Sequence, residues 1–214
     1  MNYLNHTVII LVHGFYGYPL QFNKIVEALK AEGYCVHNEK YKSTDDPIET
    51  IVDKHLKPIF DMYQTAKKID VITHSMGALL CRYYLANYTC DNLGRVVMIS
   101  PPNNGSDLTN IYVDNPFLNW LTVPVFKQLQ PNSVFLKALP EVTYDVGVIA
   151  ATETHNPILS AFIKGEDDGF VSIESMHLNN QKDFIEVDSS HLFVLSNKKT
   201  IQFIKKFLKT GFFN

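Results

Sequence analysis

The stretch DVITHSMGALLCRYYL, residues 70–85, joins a short apolar run to a helical pattern through a serine. Ser75 lies between Thr73 and Gly77, so the stretch follows the pattern G-x-S-x-G with threonine at the first glycine position. In that pattern, a strained strand-to-helix turn exposes the serine hydroxyl as a nucleophile. The alternative is that Ser75 only caps the helix, a role that serine often fills.

The rest of the chain repeats this alternation of apolar runs and amphipathic helices. The sequence predicts strands over residues 7–14, 34–41, 69–74, 95–100, 144–152 and 183–188, and helices over 20–33, 48–67, 76–88 and 197–211. The first run is continuously apolar, which is typical of a strand buried on both faces. We therefore expect one α/β domain over residues 1–214, with a mostly parallel sheet of about six strands and helices on both faces.

Further reactive residues follow the predicted strands, where parallel sheets bind their ligands. Asp167 and Asp168 stand before Gly169, and His191 comes directly after the last predicted strand. Taken alone, acidic residues beside glycine are commonly part of a solvated turn, and a lone histidine is more often a surface residue than a base. The order Ser75, then Asp167 or Asp168, then His191, each beyond a different strand, favours a Ser-His-Asp catalytic triad.

The end of the first strand supplies a candidate oxyanion hole. His13 and Gly14 close the first apolar run, and the loop after them is placed to present the backbone N–H of Phe15 towards Ser75. The backbone N–H of Met76 would complete the hole. Considered alone, His-Gly after a strand indicates no more than a turn.

With these motifs in this order, the chain resembles the α/β-hydrolase superfamily, and within it the small bacterial lipase- or esterase-like proteins related to the GPI-inositol-deacylase type. The resemblance runs from Val8 to about Leu195 and is carried by VIILVHGF, THSMGALLCRYYL, SPPNNGSDL, DVGVIAAT, GEDDGFVSIES and SSHLFVL. It implies hydrolysis of carboxylic esters through an acyl-enzyme intermediate. In related lipases the triad aspartate directly precedes the glycine of D-G-x-V, which implies Asp168 over Asp167. Thr73 replaces the first glycine of the family pattern, so we expect a slightly roomier turn there.

Residues 106–139 interrupt the alternation and form an insertion that we interpret as a possible lid. Pro116 and Pro124 exclude one continuous helix across it. Its apolar residues either pack on the domain or form a wall for an acyl chain. On the second interpretation, the substrate-pocket residues are Phe117, Trp120, Leu121 and Phe126.

Composition limits the classes of partner and cofactor that we expect for this chain. The 214 residues carry a formal net charge of −3 and form no basic stripe, which argues against nucleic acid as a binding partner. The three cysteines, Cys35, Cys81 and Cys90, suit neither a disulfide framework nor a metal-ligand pair, and the histidines lack metal-ligand spacing. We expect no cofactor and no metal. Since the sequence shows neither a signal peptide nor a membrane-spanning run, we expect a cytoplasmic protein.

The expected partner is a small-molecule or lipid ester, with transient contact to a membrane surface as a further interpretation. The sequence leaves the oligomeric state open. Three alternatives to ester hydrolysis also stay open: acyl transfer or thioester hydrolysis on the same triad, and ligand binding without catalysis. The first two share the acyl-enzyme half of the reaction, and the fold supports many chemistries.

Overall fold

The computed structural model describes residues 4–38 and 40–214 and contains a six-stranded, wholly parallel β-sheet. The strands cross the sheet in the order β2-β1-β3-β4-β5-β6. Their bounds are β1 (Thr7–Val12), β2 (Cys35–His37), β3 (Lys68–His74), β4 (Leu93–Ile99), β5 (Val146–Ala151) and β6 (Asp183–Val187). The architecture confirms the predicted α/β class and the sheet of about six strands.

Within the described ranges, ten α-helical segments, most of them short, surround the sheet. They are α1 (Asn23–Ala31), α2 (Ile48–Ile51), α3 (Lys57–Met62), α4 (Gly77–Asn87), α5 (Leu108–Val113), α6 (Pro124–Leu129), α7 (Val134–Ala138), α8 (Pro157–Ser160), α9 (Ile173–Met176) and α10 (Lys198–Thr210). Short 3₁₀ segments cover Pro19–Phe22, Asn119–Leu121 and Val194–Ser196. No helix in the described part of the chain is both long and apolar enough to cross a lipid bilayer.

Both faces of the sheet are buried, as the alternating side chains of β1 show. Val8, Ile10 and Val12 belong to one apolar cluster, which also holds residues of α2, α3 and α4. Ile9 and Leu11 belong to a second cluster, with residues of α1 and α10. Because successive side chains of a strand point to opposite faces, both faces of β1 are packed. This explains the continuous apolar run and confirms that the strand is buried on both faces.

The predicted strand 34–41 is much shorter than expected. Only Cys35–His37 pairs with β1, residue 39 lies outside the described residues, and Tyr41 has left the sheet. The Tyr41 ring is buried instead, stacked on His13 with ring centroids 3.8 Å apart. A tertiary contact therefore replaces the strand that local propensity predicted.

The predicted helix 48–67 ends at Met62 and is interrupted by a π-helical turn over Val52–Leu56. Pro58, near the start of α3, explains the interruption. Proline has no N–H to donate to the carbonyl of Lys54, and its ring crowds that carbonyl. The wider π turn relieves this conflict without ending the helical path.

The insertion 106–139 consists of short helices separated by irregular chain. It contains α5, a 3₁₀ turn, α6 and α7, and Pro124 is the first residue of α6. No continuous helix crosses it, as the prolines predicted. Some of its apolar side chains are packed, because Val125 and Leu129 are buried in the cluster on the α4 face of the sheet.

Candidate active site

Ser75 occupies the turn between β3 and α4. Its φ is +54°, in the left-handed region that few residues other than glycine adopt. The backbone N–H of Ser75 still donates to the Ile99 carbonyl at 2.9 Å, so β4 holds the turn. Met76, and not Ser75, occupies the N-cap position of α4. The turn therefore has the strained strand-to-helix geometry of a nucleophile elbow, and Ser75 does not cap the helix.

Two neighbouring positions show how the sequence permits this turn. A Cβ built on Gly77 would lie 2.3 Å from the Val12 carbonyl oxygen, so a side chain there would push α4 away from β1. Thr73, where the family pattern has glycine, is fully buried, and its hydroxyl has no hydrogen-bond partner among the described residues. The elbow thus requires glycine at the second position and accepts threonine at the first.

His191 and Asp168 are joined by two hydrogen bonds. The His191 Nδ1–H donates to Asp168 Oδ2 at 2.6 Å, and the His191 backbone N–H donates to the Asp168 carbonyl at 3.0 Å. The other carboxylate oxygen accepts the backbone N–H groups of Phe170 (3.0 Å) and Val171 (2.9 Å). Both side chains are buried, so the carboxylate is fixed and holds the imidazole with Nε2 free to accept a proton.

Asp167 is held away from His191 by other partners. Its Oδ2 accepts the Ser160 hydroxyl at 2.6 Å, and its Oδ1 accepts the Gly169 N–H at 2.7 Å. Asp167 therefore fixes α8 and the tight turn at Gly169, whose φ is +97°. Of the two acids that the sequence left open, the structure brings Asp168 to the histidine.

The loop after β1 packs closely against Ser75. A Cβ built on Gly14 would lie 2.7 Å from Ser75 Cβ and 3.2 Å from Ser75 Oγ. The Gly14 carbonyl accepts the Gly17 N–H at 3.0 Å and the His13 Nδ1–H at 2.9 Å, which fixes the turn. Neither the Phe15 N–H nor the Met76 N–H donates to another described group. These two N–H groups belong to residues that adjoin the elbow, since Met76 follows Ser75 in the chain and Phe15 follows Gly14.

His74 is a further residue of the candidate site, one to which the sequence motifs assigned no role. It is buried, and its Nε2–H donates to the His191 carbonyl at 3.0 Å, with the two rings 4.8 Å apart. Burial, together with the nearby His191, lowers the pKa of His74 to about 3. His74 therefore stays neutral and ties the His191 loop to the end of β3. The only signal in the sequence was its position next to Ser75.

Ser75 and His191 line one cavity of about 240 Å³, together with His74, Phe15 and Met76. No hydrogen bond joins Ser75 Oγ to His191 among the described contacts, although both side chains line this cavity. The remaining walls are mostly apolar and come from the insertion, α8 and the loops after β5 and β6, including Leu108, Ile111, Tyr112, Leu129, Leu159 and Val171.

Of the four sequence-predicted pocket residues, the structure brings one to the cavity. Phe126 lines it, with its ring 4.9 Å from that of Phe15. Phe117, Trp120 and Leu121 do not line it and are exposed by 83%, 76% and 42%. The Trp120 indole N–H donates to the Phe117 carbonyl at 3.1 Å, which closes a local turn at the surface.

Sequence comparison assigns the family. Residues 7–140, more than half of the chain, match the sequence profile described as the alpha/beta hydrolase fold. The chain belongs to the α/β-hydrolase fold family. A triacylglycerol lipase of Pseudomonas fragi is 32% identical over 109 residues, which cover 48% of this chain and 36% of the lipase. The match thus spans about a third of that lipase.

Solved structures of other proteins share the fold over most of this chain. The mature lipase BlEst2 of Bacillus licheniformis superposes with a TM-score of 0.75 at 17% identity, covering 94% of this chain and 91% of that one. Phospholipase PlaB of Legionella pneumophila superposes with a TM-score of 0.65 at 17% identity, covering 80% of this chain and 45% of PlaB. At these identities the likeness shows the fold alone.

Proposed function

We propose that this α/β-hydrolase is a serine hydrolase of carboxylic esters, with Ser75 as nucleophile, His191 as general base and Asp168 as the acid that orients it. The observation that carries the proposal is the 2.6 Å bond from His191 Nδ1 to Asp168, formed beside a cavity that Ser75 enters from a left-handed turn. The 32% identity to a triacylglycerol lipase over 109 residues supports the same chemistry.

In the proposed reaction, His191 Nε2 removes the Ser75 proton as Oγ attacks the ester carbonyl. Asp168 holds the Nδ1 tautomer and stabilises the imidazolium that forms. The free N–H groups of Phe15 and Met76 stabilise the oxyanion, and one such donor contributes about 3 kcal/mol in related enzymes. His191 then protonates the leaving alcohol, and water, activated by the same base, releases the acid.

The cavity supports an apolar acyl group as the part of the substrate that is bound. Leu108, Leu129 and Val171 are among the apolar side chains that line it, and among the described residues no Lys, Arg, Asp or Glu side chain does. A small-molecule or lipid ester fits such walls. Exposed apolar side chains at the same end of the sheet, Leu192 and Phe193 directly after His191, support transient contact with a lipid surface.

The two neighbouring aspartates offer a matched test of the triad. Asp168→Asn is expected to lower kcat for p-nitrophenyl butyrate by about 10⁴, because an amide no longer holds the reactive tautomer of His191. Asp167→Asn is expected to lower kcat less than tenfold, since Asp167 contacts Ser160 and Gly169 instead. Equal losses in the two variants, or an active Asp168→Asn enzyme, would contradict the assignment.

A further inference from the structure

A second cavity, of about 290 Å³, adjoins the same loop as the candidate active site but has a different chemistry. The loop after β4 contributes Pro102 to the first cavity, and Asn103 and Asn104 to the second. The other walls of the second cavity come from α4, from the segment around α7 and from the chain after α9. Its polar lining is not used in the proposed ester hydrolysis.

Arg82 of α4 lines this cavity and is 8% exposed. Its Nη1 donates to the Asn103 carbonyl at 3.0 Å and to Asn103 Oδ1 at 3.4 Å. Its Nε has no hydrogen-bond partner among the described residues, and no described carboxylate forms an ion pair with the guanidinium. Burial lowers the pKa of Arg82. A buried cation without a counter-ion is costly, and burial of this kind marks a place for a negative group.

The other charged groups around the cavity leave a net positive charge. Lys137 lines it and is exposed, and Glu141 supplies one carboxylate. The two Glu141 oxygens accept the side-chain amides of Asn179 (3.3 Å) and Asn180 (3.1 Å), so they are engaged with neutral donors. His177 Nδ1 accepts the Gln181 side-chain amide at 2.9 Å. Two cations face one carboxylate.

We propose that this second cavity is a binding site for a small oxyanion, a carboxylate or phosphate group, held by Arg82 with Lys137 at the rim. Guanidinium groups pair with both oxyanions through parallel N–H donors, and Arg82 Nε is a donor that no described residue pairs with. The side-chain amides of Asn103 and Asn104 donate to backbone carbonyls in the last turn of α9 and at the residue after it, so they fix the walls around the guanidinium.

The arginine Nε–H gives a direct readout in ¹H–¹⁵N correlation spectra. The Arg82 signal is assigned by its loss in Arg82→Lys. Sodium phosphate and sodium acetate are then titrated into the full chain, with sodium chloride at matched ionic strength. We expect a saturable shift of the Arg82 signal with phosphate, acetate or both, and none with chloride, and the two titrations identify the preferred oxyanion. No saturable shift with either, or the same shift with chloride, would show a cavity that holds only water and would overturn the proposal.

Exposed charge variants test the site without disturbing the core. Glu141→Gln should tighten binding and Lys137→Gln should weaken it, each about two- to fivefold, because each changes one charge beside the anion. Lys67→Gln removes an exposed lysine that lines neither cavity and should leave the affinity unchanged. Weakening by Lys67→Gln equal to that by Lys137→Gln would indicate diffuse surface attraction and would contradict a built site.

Discussion

His74 shows how a single buried side chain holds the candidate site without adding charge to it. Its Nε2–H reaches the His191 carbonyl at 3.0 Å across the end of the sheet. A protonated imidazole here would repel the imidazolium that forms on His191 during the proposed reaction. Burial lowers the pKa of His74 to about 3, so this repulsion does not arise at neutral pH.

The buried neutral His74 also makes the folded state sensitive to acid. The unfolded chain binds a proton at His74 near pH 6.5, whereas the folded state binds it only near pH 3. The free energy of unfolding should therefore fall as the pH falls through this range. His74→Gln retains a side-chain N–H donor but does not titrate. The free energy of unfolding of this variant should therefore depend less steeply on pH, and its slope should be smaller than that of wild type by up to about 1.4 kcal/mol per pH unit.

Urea unfolding between pH 4 and pH 7 measures this slope. His155→Gln is the control, because His155 is exposed and should leave the slope unchanged. Parallel pH profiles for wild type and His74→Gln would show that His74 is protonated in the folded state, contrary to its burial.

The residues of the site were predictable to different degrees. Ser75 and His191 stand at strand ends that the apolar runs already marked, so the sequence pointed to both. The choice of Asp168 over Asp167 came from the resemblance, and the structure supplies the physical reason, since Ser160 and Gly169 occupy the Asp167 oxygens. The contact between His74 and His191 was not predictable from the sequence, because the two residues are 117 positions apart and meet only in the folded chain.

At the scale of elements, the loop after β1 packs closely against the turn that holds Ser75. Gly14 comes so close to Ser75 that a methyl group would meet Ser75 Cβ at 2.7 Å and the His74 carbonyl at 3.1 Å. Tyr41 supports the loop from behind by stacking on His13 and donating its hydroxyl to the His13 carbonyl. The position of the Phe15 N–H therefore depends on glycine at residue 14.

Gly14→Ala is expected to lower kcat/KM for short-chain esters at least 100-fold, because the added methyl displaces the loop or the Ser75 side chain and misplaces one oxyanion donor. Steady-state kinetics with p-nitrophenyl butyrate measure the loss, and thermal unfolding reports whether the fold is retained. Gly33→Asn is the control, since a Cβ there meets no atom within 4 Å and asparagine tolerates its φ of +84°. Full activity of Gly14→Ala would exclude this loop from the oxyanion hole.

The elements themselves were predictable where packing and local pattern agree. Strands β1 and β5 are runs of buried apolar residues, β3 is nearly as buried but mixes polar and apolar side chains, and sequence pattern alone located all three. The long helix from residue 48 was interrupted because Pro58 conflicts with the hydrogen bond of the preceding turn, and the predicted strand at 34–41 lost Tyr41 to the contact with His13. Such tertiary contacts are invisible to local periodicity.

At the scale of the whole molecule, the sheet order gathers distant residues at one edge. The turn after β3 carries Ser75, the chain after β5 carries Asp168 and the chain after β6 carries His191. Because all strands are parallel, their carboxyl ends lie on the same side of the sheet. The insertion between β4 and β5 covers that side. The apolar cavity results from this arrangement, and the sequence predicted its location. Of the four residues that were predicted to form the acyl pocket, only Phe126 lines it.

The insertion should set the length of acyl chain that the cavity accepts. Ile111 of α5 lines the cavity, whereas Val113 on the same helix does not. Ile111→Trp should therefore lower kcat/KM for p-nitrophenyl octanoate and longer esters at least tenfold more than for the acetate, because the larger ring fills acyl space. Val113→Trp is the matched control and should leave the chain-length profile unchanged. An identical profile in Ile111→Trp would place the acyl chain elsewhere.

The most direct test of the central proposal is labelling with a fluorophosphonate, which reacts with an activated serine, measured by intact mass. Wild type and Ser106→Ala should each gain one adduct, since Ser106 lines the same cavity but donates its hydroxyl to the Phe170 carbonyl at 2.7 Å. Ser75→Ala, shown by circular dichroism to be folded, should gain none. An adduct that persists in Ser75→Ala, or a folded wild type that gains none, would contradict Ser75 as the nucleophile.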